Sequence, residues 1–125
     1  MTAPLEDLCE VIVTAPDGAW LEDLCRQLVT NRLASSAHVI HDVLSIYRWQ
    51  GAIHETKEAR AFLRSRTSLL NALIAYVVER HPYEVPNVTA LPIIAGNPDY
   101  LDWIRDETGR DPVTRDTISD IQDRG

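Results

Sequence analysis

Residues 81–86, "HPYEVP", place a histidine, a tyrosine and a glutamate around two prolines. Imidazole, phenol and carboxylate groups can transfer protons or hold a polar ligand. Because each proline fixes its own φ and restricts the preceding residue, Tyr83 and Glu84 are expected in a rigid corner. His81, Tyr83 and Glu84 are therefore candidate site residues. The structural interpretation is that the prolines end a helix and begin a strand, and that His81 caps the helix with its protonated form favoured by the dipole.

Four histidines and two cysteines make metal binding a candidate function of the chain. His38 and His41 are an odd number of residues apart, so a regular strand would point them to opposite faces unless a bulge intervenes. His54 and Glu58 would share a strand face, but at ~3.3 Å per residue they lie too far apart to hold one ion. Spacing alone therefore identifies no metal ligands, and copper prefers clustered thiolates or imidazoles.

Composition favours one soluble domain, since 125 residues with 45% hydrophobic and 25% charged content are ordinary for a globular protein. The net charge of −7 argues against a nucleic-acid partner. No apolar run approaches the ~20 residues that cross a bilayer, and no signal-peptide pattern is visible, so a cytoplasmic protein without membrane contact is expected. Cys9 and Cys25 are predicted to be free core residues. No nucleophile elbow or phosphate loop is present, and no enzyme is predicted.

Elements that would position these residues follow from periodicity. "LCEVIVTAPDG" predicts a strand and a turn, and Asp17 is the expected cap of a helix ending near Leu33. Residues 37–50 predict a strand, with Gly51 in a turn. Residues 53–66 are ambiguous, because their composition favours helix while a return strand followed by a helix capped at Thr67 or Ser68 is the alternative.

The remaining chain predicts a helix ending before Pro82, an edge strand in "VPNVTALPII", and a short C-terminal helix in "DYLDWI". Residues 106–125 are read as a polar, mobile tail after a single domain of residues 1–105. With residues 53–66 as a strand, the order is β-α-β-β-α-β. That order predicts an α+β ferredoxin-like sandwich with an extended β-hairpin.

The segments "VTAPD", "SIYRWQG", "HPYEVP" and "GNPDYLDWI" together resemble the CutA divalent-cation tolerance family over about residues 11–104. The resemblance implies a ferredoxin-like homotrimer, strand for residues 53–66, and a role in tolerance of copper and other divalent ions. No cofactor is required, and a divalent cation such as copper is the candidate ligand. Two departures matter: Ser36 stands where many members have cysteine, and Asn87 where many have glutamate.

The same resemblance places the rigid corner beside a cleft between subunits. We expect a small polar ligand cleft lined by Trp49, Glu58, His81, Tyr83 and Glu84. Tyr47 and Trp49 are expected in the trimer interface, where aromatic residues concentrate. The function implied is a binding and signalling module in the response to divalent ions. The alternatives are a trimer that binds a small anionic metabolite, with metal incidental, and a purely structural scaffold.

Overall fold

A computed structural model describes residues 7–109 of the chain. Its elements follow the order strand, helix, strand, strand, helix, strand, helix, and they confirm the α+β prediction. They are β1 (Leu8–Ala15), α1 (Gly18–Thr30), β2 (Ser36–Trp49), β3 (Ala52–Arg66), a 3₁₀ turn (Thr67–Leu69), α2 (Leu70–Arg80), β4 (Val88–Pro92) and α3 (Pro98–Glu107). None of these helices is long and apolar enough to span a membrane.

The four strands form one antiparallel sheet in the order β2-β3-β1-β4. Alternate residues of β1 and β3 point towards α1 and α2, because successive side chains of a strand face opposite sides. These residues form the core with apolar side chains of both helices: Cys9, Val11, Val13, Ala15, Ala59, Ala61, Leu63, Leu21, Leu24, Leu28, Leu73 and Val77. The opposite face of the sheet, which we call the open face, carries no α1 or α2 packing and holds the candidate site.

Residues 52–66 form a strand although their composition favours a helix. β3 lies between two partners, with Leu63 opposite Val11 of β1 and opposite Ala37 of β2. Ladder hydrogen bonds on both edges and burial of Ala59, Ala61 and Leu63 outweigh a propensity difference of less than about 1 kcal/mol per residue. The ambiguity of the sequence is thereby resolved by non-local pairing.

The long β2–β3 hairpin contains a bulge between Ile40 and Val43, where Asp42 has a positive φ of 59°. The extra residue on β2 shifts its alternation by one. Val43 and the odd residues after it therefore lie on the open face, together with the even residues of β3. His41 instead packs against Gly18 of α1, so the two histidines at 38 and 41 lie on opposite faces, as predicted.

Several element boundaries differ from the prediction. Asp17 does cap α1, and its side chain accepts a hydrogen bond from Ala19 N at 3.0 Å, but the helix ends at Thr30 rather than near Leu33. α2 begins at Leu70 after a 3₁₀ turn over Thr67–Leu69, and its N-cap position is Leu69 rather than the predicted Thr67 or Ser68. β4 is an edge strand, as predicted from its proline, but is only five residues long.

The C-terminal helix is longer than predicted. α3 continues to Glu107, and Thr108 is buried, with its hydroxyl donating to Ile104 O at 2.7 Å. The Arg66 guanidinium reaches Thr108 and the carbonyl of Arg105, which ties this end to β3. Packed structure therefore continues past residue 105, to Thr108. The rest of the predicted mobile tail, from residue 110, lies outside the described residues.

Candidate functional site

A buried carboxylate is the main polar feature of the open face. Glu58 on β3 is 7% exposed, and both of its oxygens accept hydrogen bonds. Ser45 Oγ, on the neighbouring strand, donates to Oε1 at 2.6 Å, and Tyr83 Oη donates to Oε2 at 2.8 Å. A carboxylate can accept about four hydrogen bonds, so Glu58 can accept about two more.

Tyr83 is held over the sheet by the loop between α2 and β4. Burial raises the pKa of Tyr83 to about 12, and its hydrogen bond to the negative Glu58 adds to the effect. The phenol is therefore a proton donor at neutral pH, and Glu58 is its acceptor. This pairing of a neutral donor with a charged acceptor belongs to the stronger class of hydrogen bonds.

His81 is a buried bridge, not an exposed ligand. Its Nε2 lies 2.7 Å from the Thr14 carbonyl oxygen, which can only accept, and its Nδ1 accepts from the Tyr83 backbone N–H at 3.0 Å. One nitrogen donates and the other accepts, so the ring is the neutral Nε2–H tautomer. His81 is the C-cap residue of α2, as predicted, and its backbone N–H donates to Val77 O, but its ring contacts Thr14 and Tyr83 rather than the last carbonyls of the helix. The ring instead fixes the corner that carries the phenol of Tyr83.

The structure brings three of the five predicted cleft residues together, namely Glu58, His81 and Tyr83. Glu84 is exposed and makes no hydrogen bond or ion pair with the described residues. Trp49 pairs with Ala52 near the tip of the hairpin, six residues from Glu58, which is ~20 Å at ~3.3 Å per residue. Within one subunit these two residues do not join the cluster. Their predicted role in a cleft between subunits stays a prediction.

The described residues contain no group of three or more His, Cys, Asp or Glu side chains that could hold a metal ion. Cys9 and Cys25 are buried and free, as predicted, and burial raises the pKa of each thiol to about 11. Their thiolate forms, which bind metals, are therefore disfavoured. Ser36 Oγ is buried without a hydrogen-bond partner in the described chain. The donors that residues 7–109 of one subunit bring together do not fit a copper site.

Two further residues belong to this surface but were not predicted as site residues. Ser45 lies on the open face beside Glu58, and its contact with Glu58 depends on the bulge and the register of the hairpin. Arg60 follows Glu58 on the same face, is partly buried, and makes no ion pair within residues 7–109. Its guanidinium lies 5.4 Å from the ring centroid of Phe62. The sequence shows that Arg60 is charged, but it does not show that the fold leaves this guanidinium without an acidic partner within residues 7–109.

The fold and site together define a small α+β protein with a long hairpin and a carboxylate–phenol pair on its open sheet face. The family model described as "CutA1 divalent ion tolerance protein" matches residues 9–107. The chain therefore belongs to the CutA1 family, as its motifs predicted.

Individual relatives agree with this assignment. A "Protein CutA homolog" of Xenopus laevis is 41% identical over 79% of this chain and 66% of its own length. The "Divalent-cation tolerance protein CutA" of Thermus thermophilus is 38% identical over 79% of this chain and 96% of its own. The chain thus spans slightly less than two thirds of the Xenopus relative but nearly all of the bacterial one.

Solved structures share the fold. The divalent cation tolerance protein Cut A1 of Thermus thermophilus superposes with a TM-score of 0.79 at 37% identity, covering 82% of this chain and 99% of that one. CutA1 of Oryza sativa gives a TM-score of 0.79 at 33% identity, covering 82% and 94%. The arrangement of one sheet, a long hairpin and three helices is therefore that of characterised CutA proteins.

Proposed function

We propose that this protein is a cytoplasmic, non-catalytic homotrimer with a ferredoxin-like subunit, acting as a binding and signalling module in the response to divalent ions, including copper. The observation that carries the proposal is the buried Glu58 carboxylate with its Tyr83 partner. Burying a carboxylate in a small domain costs free energy unless hydrogen bonds satisfy it, so a buried carboxylate–phenol pair with spare acceptor capacity is a candidate binding site. The family membership supports the link to divalent ions.

Exposed apolar surface supports the trimer. Leu44, Ile46 and Ile53 lie on the helix-facing side of the hairpin, beyond the reach of the core, and each is more than 50% exposed. Tyr47 and Trp49 are also partly exposed, at 38% and 39%. Clusters of exposed large apolar side chains on a soluble protein commonly mark surfaces that contact another chain. Neighbouring subunits would cover it and would bring Trp49 of one chain towards the Glu58 cluster of another.

Native mass spectrometry of the full chain with graded copper tests this proposal. A trimer that takes up a fixed number of ions per subunit, lost in Glu58→Gln, is expected. Glu55→Gln is the matched control, because Glu55 lies on the opposite face of the same strand and is exposed. A monomer would contradict the assembly, and a featureless series of adducts unchanged in Glu58→Gln would contradict a dedicated ion site.

A second candidate function, binding of a small anionic metabolite in the same clefts, is favoured by Arg60. This guanidinium lies on the open face beside the Glu58 cluster, is partly buried, and has no acidic partner within residues 7–109. An unpaired, partly desolvated guanidinium favours a carboxylate or phosphate. Thermal shift with organic acids and nucleotides should then show stabilisation that Arg60→Gln abolishes. The divalent-ion proposal predicts instead that ions stabilise and that Arg60→Gln changes nothing.

A further inference from the structure

A groove of about 350 Å³ lies between α1 and the last turn of α2, on the side of the sheet opposite Glu58. This volume is within the range of small-molecule pockets, roughly 300–1,000 Å³. Four of its lining residues recur on α1 at helical spacing, so they form one stripe that faces the groove. The lining comprises Trp20, Asp23, Leu24 and Gln27 from α1 and Arg80 from α2.

The Arg80 guanidinium is held at one side of this groove. Its Cζ lies 3.5 Å from the ring centroid of Tyr76, and Nη1 donates to the Tyr76 carbonyl at 3.0 Å and to Glu79 at 3.2 Å. Stacking fixes the plane of the group, while Nε and Nη2 donate to no acceptor among residues 7–109. A planar guanidinium with free donors matches a carboxylate in two-point contact.

A negative charge is held on the α1 side. Asp23 Oδ2 accepts from Gln27 Nε2 at 3.2 Å, and Gln27 Oε1 accepts from Tyr76 Oη at 2.6 Å. A continuous series of contacts thus joins the carboxylate of Asp23 to the ring on which Arg80 stacks. Asp23 Oδ1 accepts no hydrogen bond from the described residues, so it is available to a donor. The Asp23 carboxylate and the Arg80 guanidinium are therefore both held in place by this series of contacts.

One aromatic ring lines the groove beside the charges. The partly buried Trp20 ring is fixed from behind by His81, with ring centroids 5.1 Å apart in an edge contact, and Leu24, which is 2% exposed, lies in the core beneath the groove. The indole excludes water from one side of a ligand and strengthens nearby charged contacts. The groove therefore offers a cation, an anion and one indole face within one small volume.

We propose that this groove binds a small zwitterion, namely a free α-amino acid with an apolar side chain. Its carboxylate would contact Arg80, its ammonium group Asp23, and its side chain the ring of Trp20. The site is separate from the open-face cleft, since no lining residue is shared between them. It assigns a ligand class to the helix side of the protein, which the divalent-ion proposal leaves without a role.

Nuclear magnetic resonance titration of the ¹⁵N-labelled full chain with L-leucine tests the site. The indole N–H of Trp20, assigned with Trp20→Phe, and the Nε–H of Arg80 should shift together and saturate. Isovalerate and isopentylamine each carry only one of the two charges and should bind at least about tenfold more weakly, since a hydrogen bond to a charged group has that value. Arg80→Gln and Asp23→Asn should each cause a similar loss.

Arg26→Gln is the matched control, because Arg26 is an exposed α1 residue that pairs with Glu22 and does not line this groove. It should leave leucine binding unchanged. Absence of a saturable leucine shift, or an equal shift in Arg80→Gln, would overturn the proposal. Loss of stability in the two groove variants without any leucine response would overturn it as well, since the contacts would then only join α1 to α2. None of these outcomes affects the Glu58→Gln experiment, which tests the divalent-ion proposal separately.

Discussion

Tyr83 Oη donates a 2.8 Å hydrogen bond to Glu58, which is 25 residues earlier in the chain. The contact joins the proline-bounded corner after α2 to the long hairpin strand β3. His81 supports it from behind, because its ring lies 5.2 Å from that of Tyr83 and accepts the Tyr83 backbone N–H. The open-face site is therefore one connected unit of corner, histidine and carboxylate, and changes in one part should be measurable in another.

Tyr83→Phe should destabilise the protein by about 1–3 kcal/mol, because it leaves a buried carboxylate oxygen without its donor. The free energy of unfolding from urea denaturation at neutral pH and fixed protein concentration measures the effect. Tyr100→Phe is the matched control, since its hydroxyl contacts Arg64 at the exposed surface. An equal loss in both variants would contradict a special role for the Glu58 contact.

Stability should fall as the pH rises above about 9. Burial raises the pKa of Cys9 and Cys25 from 9.0 to about 11, and burial with Glu58 raises that of Tyr83 from 10.0 to about 12. Between each pair of values the folded state retains a proton that the unfolded state has lost, so the linkage favours unfolding. The contribution of each group to the free energy of unfolding is complete below its pKa in the unfolded chain. It is lost as the pH rises through its pKa in the folded protein. In Tyr83→Phe the contribution of Tyr83 between pH 10 and about 12 should disappear, which leaves only the decline from the two thiols, ending near pH 11.

Both thiols should be unreactive in the native protein. Cys9 and Cys25 are 2% and 4% exposed, and their raised pKa values keep them protonated at neutral pH. A disulfide reagent at pH 7.5 should titrate no thiol in buffer and both thiols in guanidinium chloride. Rapid reaction of one thiol in native buffer would show that its segment opens locally. The single variants Cys9→Ala and Cys25→Ala would identify which one.

Gly18→Ala should displace His41, since a Cβ at this position would overlap the imidazole ring of His41. The 2.8 Å contact between His41 Nε2 and Glu22 should be lost. The chemical shifts of the His41 ring measure this loss. In a His41→Ala background the obstacle is absent, and the same change should stabilise by about 0.4–1 kcal/mol through reduced chain entropy. A double-mutant cycle measures the difference. Identical effects of Gly18→Ala in both backgrounds would contradict the steric interpretation.

Much of the local structure was determined by sequence alone. Apolar alternation in β1 identified its buried face, Asp17 identified the start of α1, and Pro92 identified β4 as an edge strand. The prolines around Tyr83 also marked the corner. These features depend on side-chain periodicity, on a missing N–H or on a cap within a few residues, so they need no distant partner.

Only the tertiary structure decided the state of residues 52–66 and the composition of the open-face site. β3 is a strand because β1 and β2 pair with it on both edges, whereas its own propensities favour helix. Glu58 meets Ser45 only through the register after the bulge, and His81 is neutral because Thr14 and the Tyr83 backbone occupy its two nitrogens. Contacts between residues far apart in sequence depend on register and burial, which local patterns do not encode.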